Sequence, residues 1–194
     1  MWIGLLADTH VPYRVPEIPA SVVEALRGVD LILHAGDVDE PWALKPLEAL
    51  APVYAVRGNY HLLDRSSGGS AFPESVELEV AGFHIAVNHG YKLGPLTLAW
   101  KAWGAVRNLA GIWNFPAYDA VIARTLHRRF PTADIIVFGH THRFYQARWD
   151  ATWMINPGAA LRTAYLGAPY APSVVRLQLE PGLPPNIVRI LIVS

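Results

Sequence analysis

Five short blocks concentrate the side chains able to do chemistry: Asp8-Thr9-His10, Gly36-Asp37, Gly58-Asn59, Asn88-His89-Gly90 and Gly139-His140-Thr141-His142. Together they offer Asp8, His10, Asp37, Asn59, His89, His140 and His142, all oxygen or imidazole donors, in a chain without cysteine. That donor set suits a hard-to-borderline divalent metal such as Mn, Fe, Co, Ni or Zn. Seven ligands are too many for one ordinary site and about right for two metals bridged by a carboxylate. Two ions about 3.5–4 Å apart clamp the attacking and leaving oxygens of an in-line displacement.

These blocks converge only if particular elements carry them. Each follows an apolar run that reads as a strand: residues 2–7, 31–35, 53–56, 83–87 and 135–138. Residues 22–27, capped by Ser21 and closed by Gly28, read as a helix, as do 41–50, where Pro46 interrupts the helical spacing. Strands joined by helical connections indicate a largely parallel sheet, and ligands of such sheets gather beyond the carboxyl ends of the strands. Residues 76–80 and 83–87 read as a hairpin about Ala81-Gly82. Residues 96–109 and 118–130 read as helices, and 144–149, 152–155, 174–179 and 187–193 as a β-rich C-terminal part. The expected architecture is α/β, a four-layer αββα sandwich of two mixed β-sheets flanked by helices. Gly and Pro are dispersed and no linker or repeat interrupts the chain, so residues 1–194 are expected to form one domain.

Composition narrows the function classes. Of 194 residues, 52% are hydrophobic and 16% charged, which excludes wholesale disorder. Sixteen basic and sixteen acidic residues cancel, so the chain lacks the excess positive charge that a general grip on nucleic acid needs. The absence of cysteine excludes disulfides and thiolate chemistry. The apolar start stops at Asp8 without a basic leader, and the apolar stretch near residues 93–110 holds Lys101 and Arg107, so neither a targeting segment nor a membrane span is expected. The expected location is the cytoplasm.

In order and in kind, the five blocks resemble the calcineurin-like metallophosphoesterases, and in particular their small prokaryotic phosphodiesterase branch. The resemblance extends to the Asn156-Pro157-Gly158 turn. It implies that Asp8, His10 and His142 hold one ion, that Asn59, His89 and His140 hold a second, and that Asp37 bridges them. It further implies hydrolysis of a small phosphoester, a phosphodiester first, by a hydroxide bridging two divalent transition-metal ions and attacking phosphorus in line. Manganese is the expected metal, with Fe, Zn, Co or Ni as alternatives. Many members carry the general-acid histidine immediately after the Gly-Asn, whereas this chain reads Gly58-Asn59-Tyr60-His61. His61 is the candidate acid, with Tyr60 and a metal-bound water as alternatives, and Arg57 or Arg143 the candidate phosphate contacts. A phosphomonoesterase, a nucleotide-lipid pyrophosphatase and a non-catalytic scaffold of the same fold are the competing readings.

The remaining candidates read as structural. His34 lies inside an apolar strand and is expected to be a hydrogen-bonded core residue. His84 and His127 belong to no constellation, and Arg124, Arg128 and Arg129 form a solvated helix face. Trp100, Trp103, Trp113, Phe115 and Tyr118 crowd residues 96–118. They are expected to pack in the core, to form a homo-oligomer interface, or to cap the metal cleft.

Overall fold

The computed structural model describes residues 1–59, 71–91, 116–162, 164–165 and 168–193. Strands β1 (Trp2–Leu6), β2 (Leu31–His34) and β3 (Val53–Ala55) pair in parallel. The connection from β1 to β2 holds helix α1 (Ala20–Ala25). It begins one residue ahead of the expected cap: Pro19, with φ −60°, occupies the capping position, and Ser21 lies within the first turn. The expected helix over 41–50 divides into a 3₁₀ turn (Pro41–Leu44) and the short helix α2 (Lys45–Glu48). Each piece starts with a proline in its first turn, where no amide hydrogen is needed.

The C-terminal strands β11 (Ser173–Gln178) and β12 (Asn186–Leu191) join this N-terminal sheet, giving the order β12-β11-β1-β2-β3 with β11 antiparallel to β1. The second sheet runs β4-β5-β6-β8-β7, built from β4 (Ser75–Val80), β5 (Phe83–Asn88), β6 (Ile135–Val137), β7 (Phe144–Trp149) and β8 (Thr152–Pro157). Its three central strands β5, β6 and β8 are parallel. Helix α3 (Pro116–Arg129) precedes β6. Strands β9 (Ala164–Tyr165) and β10 (Ala168–Pro169) form a two-stranded pair that the sequence pattern is too short to signal.

Alternation along the strands builds the layers. Ile3, Leu5 and Ala7 of the first sheet meet Ile85, Val87, Ile135, Val137 and Ile155 of the second in the central core. Leu6 and Ile32 face the other way, onto Val22, Leu26, Leu44 and Leu47 of the N-terminal helical layer. Ala86, Ile136, Phe138 and Met154 pack under Ile122 and Leu126 of α3 and Phe130 just beyond it. The result is the four-layer αββα sandwich, each fully buried aliphatic side chain contributing about 1.5–3 kcal/mol. A parallel bridge between Ala7 and Ala159, with the Ala160 amide donating to Ala7 O at 3.0 Å, ties the end of β1 to the segment after β8. No helix among the described residues is long and apolar enough to cross a membrane.

Candidate metal centre

Tight backbone at the carboxyl ends of the strands aims the five blocks at one another. Asp8, His10, Asp37, His140 and His142 all have positive φ, between 49° and 75°. Non-glycine residues rarely adopt this region, and it persists where the surroundings over-determine it. Here the loops brace one another: the Asp8 amide donates to Gly36 O and the His10 amide to Asp37 O, both at 3.0 Å. The His140 amide donates to Asp8 Oδ1 at 3.2 Å. Two glycines make room. At Gly36, with φ +99°, a Cβ would come within 2.5 Å of His89 Nδ1, and at Gly58 it would overlap the Asp37 carboxylate.

All seven sequence candidates come together. Ligand atoms of Asp8, His10, Asp37 and His142 lie within 4.8 Å of one another, and all four residues are buried. His10 Nε2 is 3.4 Å from His142 Nε2 and 3.3 Å from Asp37 Oδ2; His142 Nε2 is 3.5 Å from Asp8 Oδ1. Two nitrogens bound tetrahedrally to one ion at about 2.1 Å stand about 3.4 Å apart, so this spacing is that of atoms facing a common cation. A second group adjoins it. Asn59 Oδ1 is 2.9 Å from His89 Nε2 and 2.8 Å from His140 Nδ1. Asp37 Oδ2 lies 3.5 Å from His89 Nε2 as well as 3.3 Å from His10 Nε2, which puts this carboxylate between the two groups.

The electrostatics fit a cation. Burial raises the Asp8 carboxyl well above its usual range, and the neighbouring Asp37 charge adds to that; the His140 amide and the Arg14 charge oppose it. Burial lowers His89, and lowers His142 to about 2 with help from the His10 and Arg14 charges. The imidazoles of His89 and His142 therefore keep their lone pairs, while two carboxylates crowd each other. Asp8 Oδ2 is buried without a hydrogen-bond partner among the described residues. Divalent ions bound by this oxygen and nitrogen donor set would relieve both strains at once.

A surrounding set of polar groups holds the donors. His89 Nδ1 donates to Ala35 O at 2.8 Å, leaving Nε2 as acceptor. Tyr118, which the sequence places only within the aromatic stretch, meets His140 Nε2 through its hydroxyl at 3.1 Å, so Nδ1 is the nitrogen turned to Asn59. Asn156 donates to Gly139 O at 2.9 Å and to Thr141 Oγ1 at 3.0 Å, and Thr141 donates to the buried Asp119 at 2.5 Å. The Asn-Pro-Gly turn thus underpins the last histidine block. His34 is the hydrogen-bonded core residue expected: its Nδ1 accepts from the Gly36 amide at 3.3 Å and its Nε2 contacts Thr9 Oγ1 at 3.1 Å.

Other candidates stand apart. Arg57 pairs with Glu74 at 3.4 Å, and Arg143 lies 3.9 Å from Asp119 and over the Tyr170 ring. Arg14, which sequence reasoning missed, is the exposed cation whose charge acts on both Asp8 and His142. His84 bonds Glu77 at 2.9 Å, and His127 lies 3.6 Å from Asp150, so both have structural partners. Tyr60, His61, the expected helix over 96–109 and the aromatics Trp100, Trp103, Trp113 and Phe115 lie outside the described residues.

Residues 1–180 match the family model for the calcineurin-like phosphoesterase superfamily domain. The chain belongs to this superfamily. A probable metallophosphoesterase of Methanothermobacter thermautotrophicus is 35% identical over 159 residues, covering 82% of this chain and 77% of the relative. Among solved structures, zinc-complexed Vps29 from Entamoeba histolytica superposes with a TM-score of 0.70 at 20% identity, over 99% of both chains. An archaeal phosphodiesterase superposes with a TM-score of 0.59 at 19% identity, over 98% of this chain and all of that one. At these identities the two structures share the fold; the superfamily assignment rests on the family model and the archaeal relative.

Proposed function

We propose that residues 1–194 act as a single cytoplasmic domain, a metal-dependent phosphodiesterase with a dinuclear centre. Asp8, His10 and His142 hold one ion, Asn59, His89 and His140 the other, and Asp37 both. The observation that carries this reading is the Asp37 carboxylate, 3.3 Å from a histidine of one group and 3.5 Å from a histidine of the other. Divalent ions there, manganese first, supply Lewis-acid activation of the phosphoester and of water. The chain's own part is positioning. The braced loops fix the donors in advance, the low proton affinity of His142 and His89 keeps them neutral, and the exposed Arg14 draws an anionic substrate to the cleft.

His61 is the proposed proton donor to the leaving group. Its replacement by alanine should slow alkyl esters far more than nitrophenyl esters, whose leaving group needs no acid. The test of the whole reading is a screen of metal-loaded protein against aryl phosphodiesters, monoesters and nucleotides, with elemental analysis of the same sample. About two ions per chain are expected, with diesters turned over fastest and Asp37→Asn inactive. Faster monoester turnover refutes the diester assignment. The likeness to Vps29 favours one other reading, a protein-binding scaffold that self-associates through residues 96–118, and metal-loaded protein that hydrolyses no phosphoester would support it.

A further inference from the structure

We infer that Asp39 is the positioning carboxylate for His10, and that it makes the Asp8–His10–His142 position the tighter of the two. This rests on the dinuclear reading above. Asp39 follows the bridging Asp37 by two residues and is fully buried. Neither of its carboxylate oxygens has a hydrogen-bond partner among the described residues. Its Oδ1 lies 3.7 Å from His10 Nδ1, on the side of the ring opposite Nε2, the atom that faces Asp37 and His142. A buried carboxylate with no hydrogen-bond partner among the described residues, set 3.7 Å behind an imidazole, acts on that ring through its charge and not through a hydrogen bond. It holds the proton on Nδ1, keeps the Nε2 lone pair aimed at the ion, and raises the basicity of the ring as a ligand.

The two positions differ in this respect. His89 and His140 are backed by neutral oxygens, the Ala35 carbonyl and the Tyr118 hydroxyl. A carboxylate polarises an imidazole more strongly than either. The first position also has Asp8 as a direct anionic ligand, where the second has the neutral Asn59. Its donors are almost wholly buried, whereas Asn59 is half-buried. Loading is therefore ordered: the first ion enters at His10 and the second follows on the solvent side.

The experiment is a calorimetric titration of Mn²⁺ into the metal-free full chain, for the parent, Asp39→Asn and Asp39→Glu. The parent should bind two ions with distinct affinities. Asp39→Asn should weaken the tighter step about 10- to 100-fold and leave the weaker one in place, while Asp39→Glu should recover part of the loss. A general loss of structure would move both steps together. Two steps in the parent with an unchanged tight step in Asp39→Asn overturn the Asp39 role and leave the dinuclear reading standing. A parent that binds no ion overturns both. If Asp39→Asn does not fold, ring-¹⁵N histidine spectra of the metal-free parent give the same decision. A protonated Nδ1 on His10 is expected, and an unprotonated one overturns the inference.

Discussion

His34 couples the fold to the centre, and acid exposes the coupling. Its ring is fully buried, with Nδ1 accepting from the Gly36 amide at 3.3 Å and Nε2 against Thr9 Oγ1 at 3.1 Å. Thr9 Oγ1 in turn lies 3.4 Å from Asp37 O, so one neutral imidazole ties the Asp8 loop to the Asp37 loop. Burial lowers its pKa from 6.5 to about 3. Because the folded value is depressed, the unfolded chain binds the proton first. The contribution is complete above about pH 6.5 and is lost as pH falls towards 3, at about 1.4 kcal/mol per pH unit, reaching about 5 kcal/mol. His34→Gln does not titrate. At pH 8 it should be less stable than the parent by about 1–3 kcal/mol, because the Gly36 amide loses its acceptor. As pH falls below 6.5 the two stability curves should converge and cross near about pH 5. Urea unfolding of metal-free protein between pH 8 and 4 measures this, since groups common to both proteins cancel in the difference. Parallel curves would refute the buried neutral imidazole.

Three further outcomes follow from the same physics. Burial raises Asp119 from 3.8 to about 6, against the Thr141 hydrogen bond and the Arg143 charge, so its contribution is present below pH 4 and lost as pH rises through 6. In thermal unfolding, Asp119→Asn should gain up to about 3 kcal/mol on the parent between pH 4 and pH 8; a pH-independent difference would contradict this. Arg14→Ala should raise KM for an anionic phosphodiester about 2- to 5-fold at low salt with kcat little changed, and the effect should fade at high salt; a change confined to kcat would count against Arg14 as the attracting cation. Asp8→Asn should make the metal-free protein more stable at pH 7, because burial and Asp37 both oppose the Asp8 charge. It should also remove the share of the Mn²⁺ stabilisation that the Asp8–His10–His142 position supplies, about 2.7 kcal/mol at a hundredfold excess over its Kd; an unchanged metal-induced rise in Tm would show that Asp8 is no ligand.

The centre was more legible in the sequence than its supports. Strand ends were readable because a buried strand is an apolar run that stops abruptly, and each of the seven donors sits just past such a stop. Apolar runs of the same kind predicted the strands of both sheets, but sheet membership is a long-range fact: nothing local in residues 173–191 says that β11 pairs with β1 across most of the chain. The supporting groups escaped for a similar reason. Asp39, Tyr118 and Asp119 gain their meaning from partners 29, 22 and 22 residues away in sequence. Asp39 did have a local signal, a second aspartate two positions after Asp37, in a segment whose other residues are buried. The short helices departed from expectation at prolines, where the restricted φ and missing amide hydrogen outweigh helical apolar spacing.

Backbone strain bears on the choice between the proposed metal centre and a scaffold of the same fold. Among the described residues, seven non-glycine residues have positive φ, and two of them, Ala81 and Asp150, occupy hairpin turns where that conformation matches the twist of the strands. The other five are proposed ligands. At about 1–3 kcal/mol each, their strain approaches the whole net stability of an ordinary domain. Glycine or asparagine would remove most of it, and neither a turn nor a protein-docking surface needs aspartate or histidine in these conformations. To the strain are added a buried Asp8 oxygen without a hydrogen-bond partner among the described residues, and the imidazoles of His89 and His142, whose affinity for protons burial lowers. Each feature is unfavourable in isolation; positive charge at one point answers the electrostatic ones, and the backbone strain is the cost of aiming the donors there. A scaffold derived from this fold would gain stability by replacing these five residues with glycine or asparagine, and this chain carries aspartate or histidine at all five.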